Sequence, residues 1–374
     1  MASATLRTAT LADRAAIEAL KQRCGLGGDK TEADWRHLYD ANPAMRRLGV
    51  ELPIGWVLEV GDQIVGNFGS IPMLFHSGRR TVPVAASNSY AVDPEHRGHS
   101  IKVLTPFMKQ GGVEMVMVTT AGDITSKLCH QLFKAEALPQ PDYFQALFWA
   151  LRTGPVAREY LKKRALRGPT LIAARFLLPT LLRCEGLVRG RRPGAPAAGL
   201  TVERCAPEQI GPEFDELWQR RTLDETPFMA ERSAEVLRWR FGLPRNRERT
   251  RIIVCRRGGH LVGYGVVERT GRVPDLVRGN LSDLLAEGDD PAVIGAILRG
   301  AHDHARADGC DILEVVGLPP RVRRALHTAR PYTRQIVTGG IGSYIYRCRE
   351  PALSEVLRAP EAWYACSSDG DTGL

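Results

Sequence analysis

The chain has 374 residues, 44% hydrophobic and 25% charged, which excludes a disordered or fibrous protein and exceeds what one hydrophobic core ordinarily supports. Its eight cysteines lie far apart, with no Cys-x-x-Cys pair and no histidine spacing that would build a zinc site, so they read as reduced thiols and no metal is expected. A formal charge of +9 suits nucleic acid, an anionic membrane or a phosphorylated ligand; without zinc-finger spacing, an RNA-binding signature or a basic region joined to heptads, nucleic acid is not expected.

The opening MASATLRTATLADR lacks the apolar stretch of a signal peptide, so a cytoplasmic location is the expectation. Thr5 to Thr10 reads as a strand and Ala12 to Cys24 as a helix. Thr31 and Asp34 mark the cap of a second helix, which Pro43 stops. Gly55 to Val60, Ile64 to Ile71 and Arg79 to Val92 read as an antiparallel meander, with turns at Gly61-Asp62 and Gly78. A helix from Ser100 to Gln110, a strand from Val113 to Val118 and a helix from Asp123 to Lys134 follow.

The same order returns after residue 200. Strand Thr201 to Arg204, helices Pro207 to Arg221 and Ser233 to Phe241, and strands Arg251 to Arg256 and His260 to Val267 are followed by strand Asn280 to Ala286, helix Pro291 to Ala307, strand Asp311 to Val316 and helix Pro320 to Ala329. Residues repeat too: Trp35-Arg36 with Asn42-Pro43 matches Trp239-Arg240 with Leu243-Pro244, and GDQIVGNFG at Gly61 matches GGHLVGYGV at Gly258. A spacing of about 200 residues argues for duplication. Phe144 to Val188 reads as helices rich in Leu, Ala and Arg, and Gly190 to Gly199 as a linker. Arg175, Arg183, Glu185 and Pro179 interrupt Thr170 to Val188, which leaves a helix packed between domains or one attached to a membrane surface. The expected domains are 1–143, a helical insert and linker at 144–199, a second domain at 200–350 and a tail at 351–374.

The segment richest in chemistry is SNSYAVDPEHRGHSIKVLTPFM, Ser87 to Met108. A strand ends at Val92, Pro94 breaks it, and a helix opens after Arg97-Gly98-His99-Ser100. A helix N-terminus offers unpaired N–H groups to an anion, glycine allows close approach, and Arg97, His99 and Lys102 add donors or charge. The order of elements in both halves, with Val92-Asp93-Pro94-Glu95-His96-Arg97-Gly98 leading into this loop, resembles the GNAT superfamily of acyl-CoA-dependent N-acyltransferases. The resemblance implies an α/β fold with mixed sheets, in two tandem GNAT-like domains joined by the helical insert. Against that family's loop pattern, Ser100 and Lys102 replace small residues, and Lys102 stands where a pyrophosphate approaches closely.

On this resemblance the backbone around Ala91 and Val92 holds the pantetheine arm of acyl-CoA, and Arg97, Gly98, His99, Ser100 and Lys102 lie at its pyrophosphate. The same arm on an acyl carrier protein is an alternative donor, and the acceptor is a small-molecule amine. The family's tyrosine acid falls on His130 when its helix pattern is laid on Asp123 to His130, and histidine transfers protons near neutrality. Tyr90, Ser89 and Asn88 lie beside the expected thioester, where Asn88 or Ser89 can position a water; no carboxylate base is identifiable, and Asp93 and Glu95 read as caps. In the second half Leu284 to Pro291 brings three carboxylates to a helix start, which suits capping and repels phosphate. That half reads as degenerate, and Gly339 to Tyr344 as a bent strand. A scaffold without catalysis, or an acyltransferase held at a membrane surface, are the competing readings.

Overall fold

The computed structural model describes residues 4–162, 164, 168–222, 227–271, 276–336 and 343–374. The first half runs β1 (Ala4–Thr8), α1 (Arg14–Arg23), α2 (Glu32–Tyr39), α3 (Pro43–Arg47), β2 (Gly55–Val60), β3 (Gln63–Ser77), β4 (Arg80–Val92), α4 (Ser100–Lys109), β5 (Met115–Ala121), α5 (Asp123–Phe133) and β6 (Glu136–Ala137). Thr31 caps α2 by accepting from the Asp34 amide at 3.2 Å, while Asp34 accepts from the Thr31 amide at 2.9 Å. Pro43 opens α3 rather than only ending α2: Asn42 caps this short helix and proline takes its first position, where no N–H is needed.

Residues 144–199 are not all helix. Gln145–Ala150 forms β7, whose Ala146, Leu147 and Trp149 are buried; α6 (Thr153–Lys162) and α7 (Gly168–Val188) follow. The second half contains β8 (Leu200–Cys205), α8 (Glu213–Thr222), β9 (Met229–Ala230), α9 (Ala234–Phe241), β10 (Thr250–Arg257), β11 (His260–Arg269), β12 (Arg278–Ala286), α10 (Pro291–Ala307), β13 (Ile312–Val315), α11 (Pro320–Leu326), β14 (Tyr332–Gln335), β15 (Ser343–Cys348) and α12 (Pro351–Val356). Most of the glycine-rich run, Gly339 to Gly342, lies outside the described residues.

Two mixed sheets result. One has the order β1-β2-β3-β4-β5-β15-β6, with β9 added on β3, and the other β14-β7-β13-β12-β11-β10-β8. The halves therefore exchange strands: β7 joins the second sheet and β15 inserts in the first, between β5 and β6. Apolar side chains cover both faces of the first sheet. Phe68 meets Phe107 of α4 at 4.6 Å between ring centres, and the opposite face buries Ile17, Leu20, Trp35 and Trp363.

The duplication extends to backbone irregularities. β4 pairs in parallel with β5 only over Val84–Ala86 and Met115–Met117, and its pairing with β3 skips Asn88, between Ser87 and Ser89. β12 pairs with β13 only over Arg278–Asn280 and Ile312–Glu314, and its pairing with β11 skips Ser282, between Leu281 and Asp283. In each sheet a bulge two residues past the last parallel pair bends the strand, and the two parallel strands then diverge.

Candidate functional site

The divergence of β4 from β5 opens a cavity of about 450 Å³. Ser87, Asn88, Ser89 and Tyr90 line it from β4, Val118, Thr120 and Ala121 from β5, Gly122 and Thr125 from the start of α5, Lys21 and Lys30 from the α1 side, and Asp371 and Leu374 from the tail.

The amide directions of β4 follow from its period of two. The Asp93 amide donates to the Val65 carbonyl of β3 at 2.9 Å, so those of Ala91 and Ser89 also face β3, and those of Tyr90 and Val92 face the open side. The Val92 amide is directed at the Cys24 thiol. Of the two backbone positions expected to hold a pantetheine arm, Val92 has its N–H free of the ladder; Ala91 does not, and Tyr90 takes its place. Burial and the Asp93 carboxylate push the Cys24 thiol up, against Arg23, Arg97 and this amide.

Arg97, Gly98 and His99 are exposed in a tight helical turn over Pro94–His99 ahead of α4, and a Cβ on Gly98 would meet nothing within 4 Å. Ser100 Oγ donates to the Arg97 carbonyl at 2.7 Å, and Lys102 Nζ donates to the Ala4 carbonyl of β1 at 2.6 Å. Lys102 is thus held against the edge strand and does not occupy the loop's open side. Asp93 does not cap α4 with its side chain; it pairs with Arg23 at 2.8 Å. The Tyr90 ring packs on Phe68, and its hydroxyl lies beside Ser100 without a hydrogen bond of good geometry. Burial raises its pKa.

His130 lies outside the cavity lining. Its Nδ1 is directed at the Ala135 carbonyl near the C-terminal end of α5, whereas the cavity meets the first turn of that helix, about 7 Å along the axis. That first turn has Gly122 as its cap and no side-chain capping bond, so its leading amides face the cavity without helix partners.

Around Asn88 the structure assembles groups that the sequence did not join. Lys30 Nζ donates to Asn88 Oδ1 at 3.3 Å, and Asn88 Nδ2 donates to the Tyr39 hydroxyl at 3.1 Å. Burial, reinforced by the Lys21 ammonium, brings the Lys30 ammonium down to about 8. Lys21 is held by Glu18 at 2.9 Å, and Glu18 also accepts from Trp35 Nε1 at 3.0 Å. On the other wall Asp371 accepts from Thr119 Oγ1 and Thr120 Oγ1, each at 2.9 Å. Asp371 supplies the carboxylate of the cavity lining, and it does so from the segment expected to be a tail. The run Trp363-Tyr364-Ala365-Cys366, too apolar for a free tail, was the available signal.

The equivalent space in the second half is filled. The Tyr364 hydroxyl donates to the Leu284 carbonyl at 2.7 Å and Ser367 Oγ to the Ser282 carbonyl at 3.1 Å. Buried Arg232 pairs with Asp283 at 3.0 Å and Asp369 at 2.9 Å. The carboxylates ahead of α10 are neutralised or used as caps: Glu287 pairs with Arg220, Asp289 with Arg221, and Asp290 accepts from the Ala292 amide at 2.8 Å. Among the described residues no group of three or more His, Cys, Asp or Glu is arranged to hold a metal ion.

This architecture, two mixed sheets each splayed after a bulged fourth strand, is the fold of the GCN5-related N-acetyltransferases, here in tandem. The chain is similar in structure to a GCN5-related N-acetyltransferase from Anabaena variabilis ATCC 29413 (TM-score 0.56, 12% identity, 93% of this chain and 73% of that one). A probable N-acyltransferase from Enterococcus faecalis V583 gives TM-score 0.56 at 9% identity, with the same coverage. Saccharomyces cerevisiae N-myristoyltransferase with bound myristoyl-CoA gives TM-score 0.52 at 14% identity, over 93% of this chain and 80% of that one. No protein-family profile and no curated protein matches the sequence.

Proposed function

We propose that the protein transfers an acyl group from acyl-CoA, or from the same arm on an acyl carrier protein, to a small-molecule amine bound in the first-half cavity. One observation carries this reading: the β4–β5 splay is open and lined by both a cation and a carboxylate, while its duplicate at β12–β13 is closed by the chain itself. The second half then serves as support for the tail that completes the site.

In this reading the Tyr90 amide, joined by that of Val92 once it turns from the Cys24 thiol, binds the amide groups of the pantetheine arm, and the Arg97–Ser100 turn meets the phosphates at the mouth. Asp371 receives the acceptor's ammonium and takes one proton from it, and the neutral amine so formed attacks the thioester carbon with its lone pair. Lys30, fixed by Asn88, stabilises the oxygen that becomes negative as the new C–N bond forms. The C–S bond then breaks, the thiolate leaves toward the unpaired amides at the start of α5, and the second proton shed by the nitrogen converts it to the thiol.

Calorimetric titration with acetyl-CoA and longer acyl-CoAs tests the donor site. Arg97→Glu reverses the charge at the mouth and is expected to weaken binding by more than about tenfold. Failure of the native protein to bind any acyl-CoA would remove the free-donor reading and leave the carrier-protein donor.

A further inference from the structure

The chain's excess of positive charge is concentrated in one stretch. Residues 151–192 contain eleven Lys and Arg against two Glu, a net +9 equal to that of the whole chain; the remaining residues carry 40 charges of each sign. This stretch holds α6 and α7, which pack against each other.

The face that α7 turns outward is apolar. At about 100° per residue, Ile172, Phe176 and Leu187 fall together and Leu177, Leu181 and Val188 fall beside them, within one half of the helix surface. All six are exposed, with Phe176, Leu187 and Val188 at 77, 72 and 86%. Arg183 lies on the same face and is exposed, as is Arg175 at its border. Glu185, the acid of α7, lies just past Leu181, where its carboxylate is held by Tyr332 and Arg191. Amphipathic helices of soluble proteins bury their apolar face; here it faces solvent, with Arg183 on it, and the one acid of the helix is paired with Arg191.

A bilayer matches this surface better than a protein does. The exposed side chains form a convex ridge about 24 Å long, which can sink among acyl chains but would require a matching groove in a protein partner. Arginines beside the ridge reach the level of lipid phosphates and add attraction to an anionic leaflet. Among the described residues no helix is long and apolar enough to cross a membrane, so attachment is in the plane of the surface. We infer that α7 docks this protein on an anionic lipid bilayer, with Phe176 and Leu181 inserted and Arg175 and Arg183 at the phosphates.

The test is flotation of the full chain with vesicles of phosphatidylcholine alone or with about a third phosphatidylglycerol, beside the double variant Phe176→Glu, Leu181→Glu. Both positions are exposed, so the variant is expected to keep the native melting temperature. The native chain should float with the anionic vesicles only, and the bound fraction should fall more than about tenfold in the variant. No flotation with anionic vesicles, or flotation that the variant leaves unchanged, overturns the inference. So does a native dimer that ignores vesicles and becomes monomeric in the variant, since a second copy would then cover the ridge. None of these readouts requires acyl transfer.

Discussion

Asp371 and Lys30 face the same cavity with opposite charges, and their proposed roles separate in experiment. Asp371→Asn keeps the bonds from Thr119 and Thr120 but cannot accept a proton. Thiol release with a productive amine should therefore fall by about a hundredfold or more, with acyl-CoA affinity unchanged; equal loss of both would make Asp371 a structural residue. Lys30 predicts a pH signature. Burial lowers its ammonium to about 8, so the cation that stabilises the developing oxyanion is present below that pH and lost as pH rises through it. The alkaline limb of kcat/KM should fall near pH 8 in the native protein and move upward in Lys30→Arg, where guanidinium stays charged. A limb unmoved by that substitution would assign it to another group.

At the scale of elements, the last segment closes one splay and completes the other, and Gly370 is where it passes between them. A Cβ there would come within 1.9 Å of Thr119 Oγ1, while its φ of −130° lies outside the left-handed region that favours glycine. Gly370→Ala must push the chain off β5 and carry Asp371 away from Thr119 and Thr120. We expect turnover to drop by about tenfold or more through misplacement alone, with acyl-CoA still bound. Unchanged turnover would show that the tail does not set the site. The meander and both β-α-β-α units were legible because each is local: alternation, caps and turn glycines fix them. Asp371, Lys30 and the exchange of β7 and β15 were not, because each depends on contacts between segments far apart in sequence. His130 was placed by a family spacing, and the structure puts it beyond the cavity, at the Ala135 carbonyl.

For the molecule as a whole, the two halves are held by paired elements. β9 pairs with β3, Trp239 Nε1 donates to the His37 carbonyl at 2.9 Å, and His37 Nε2 lies 2.6 Å from the Trp239 carbonyl. Beside them Glu231, on the second half, accepts from Arg47 and His76 of the first, at 2.5 and 2.9 Å. Burial alone would raise the Glu231 pKa, but hydrogen bonds from His76, Arg47 and Ser233 outweigh it and hold the carboxylate at about 2. Its folded-state pKa lies below the ordinary 4.5, so its contribution to stability is present above pH 4.5 and lost as pH falls through about 2. The shift corresponds to about 3 kcal/mol, comparable to the loss when one partner of a buried ion pair is removed. Glu231→Gln should therefore be less stable than the native chain by about that amount at pH 7 in urea unfolding. The difference should shrink between pH 4.5 and 2, since protonation leaves the native side chain as neutral as the variant's. A stability gap that persists at full size at pH 2 would mean that shape rather than charge holds the halves together at this point.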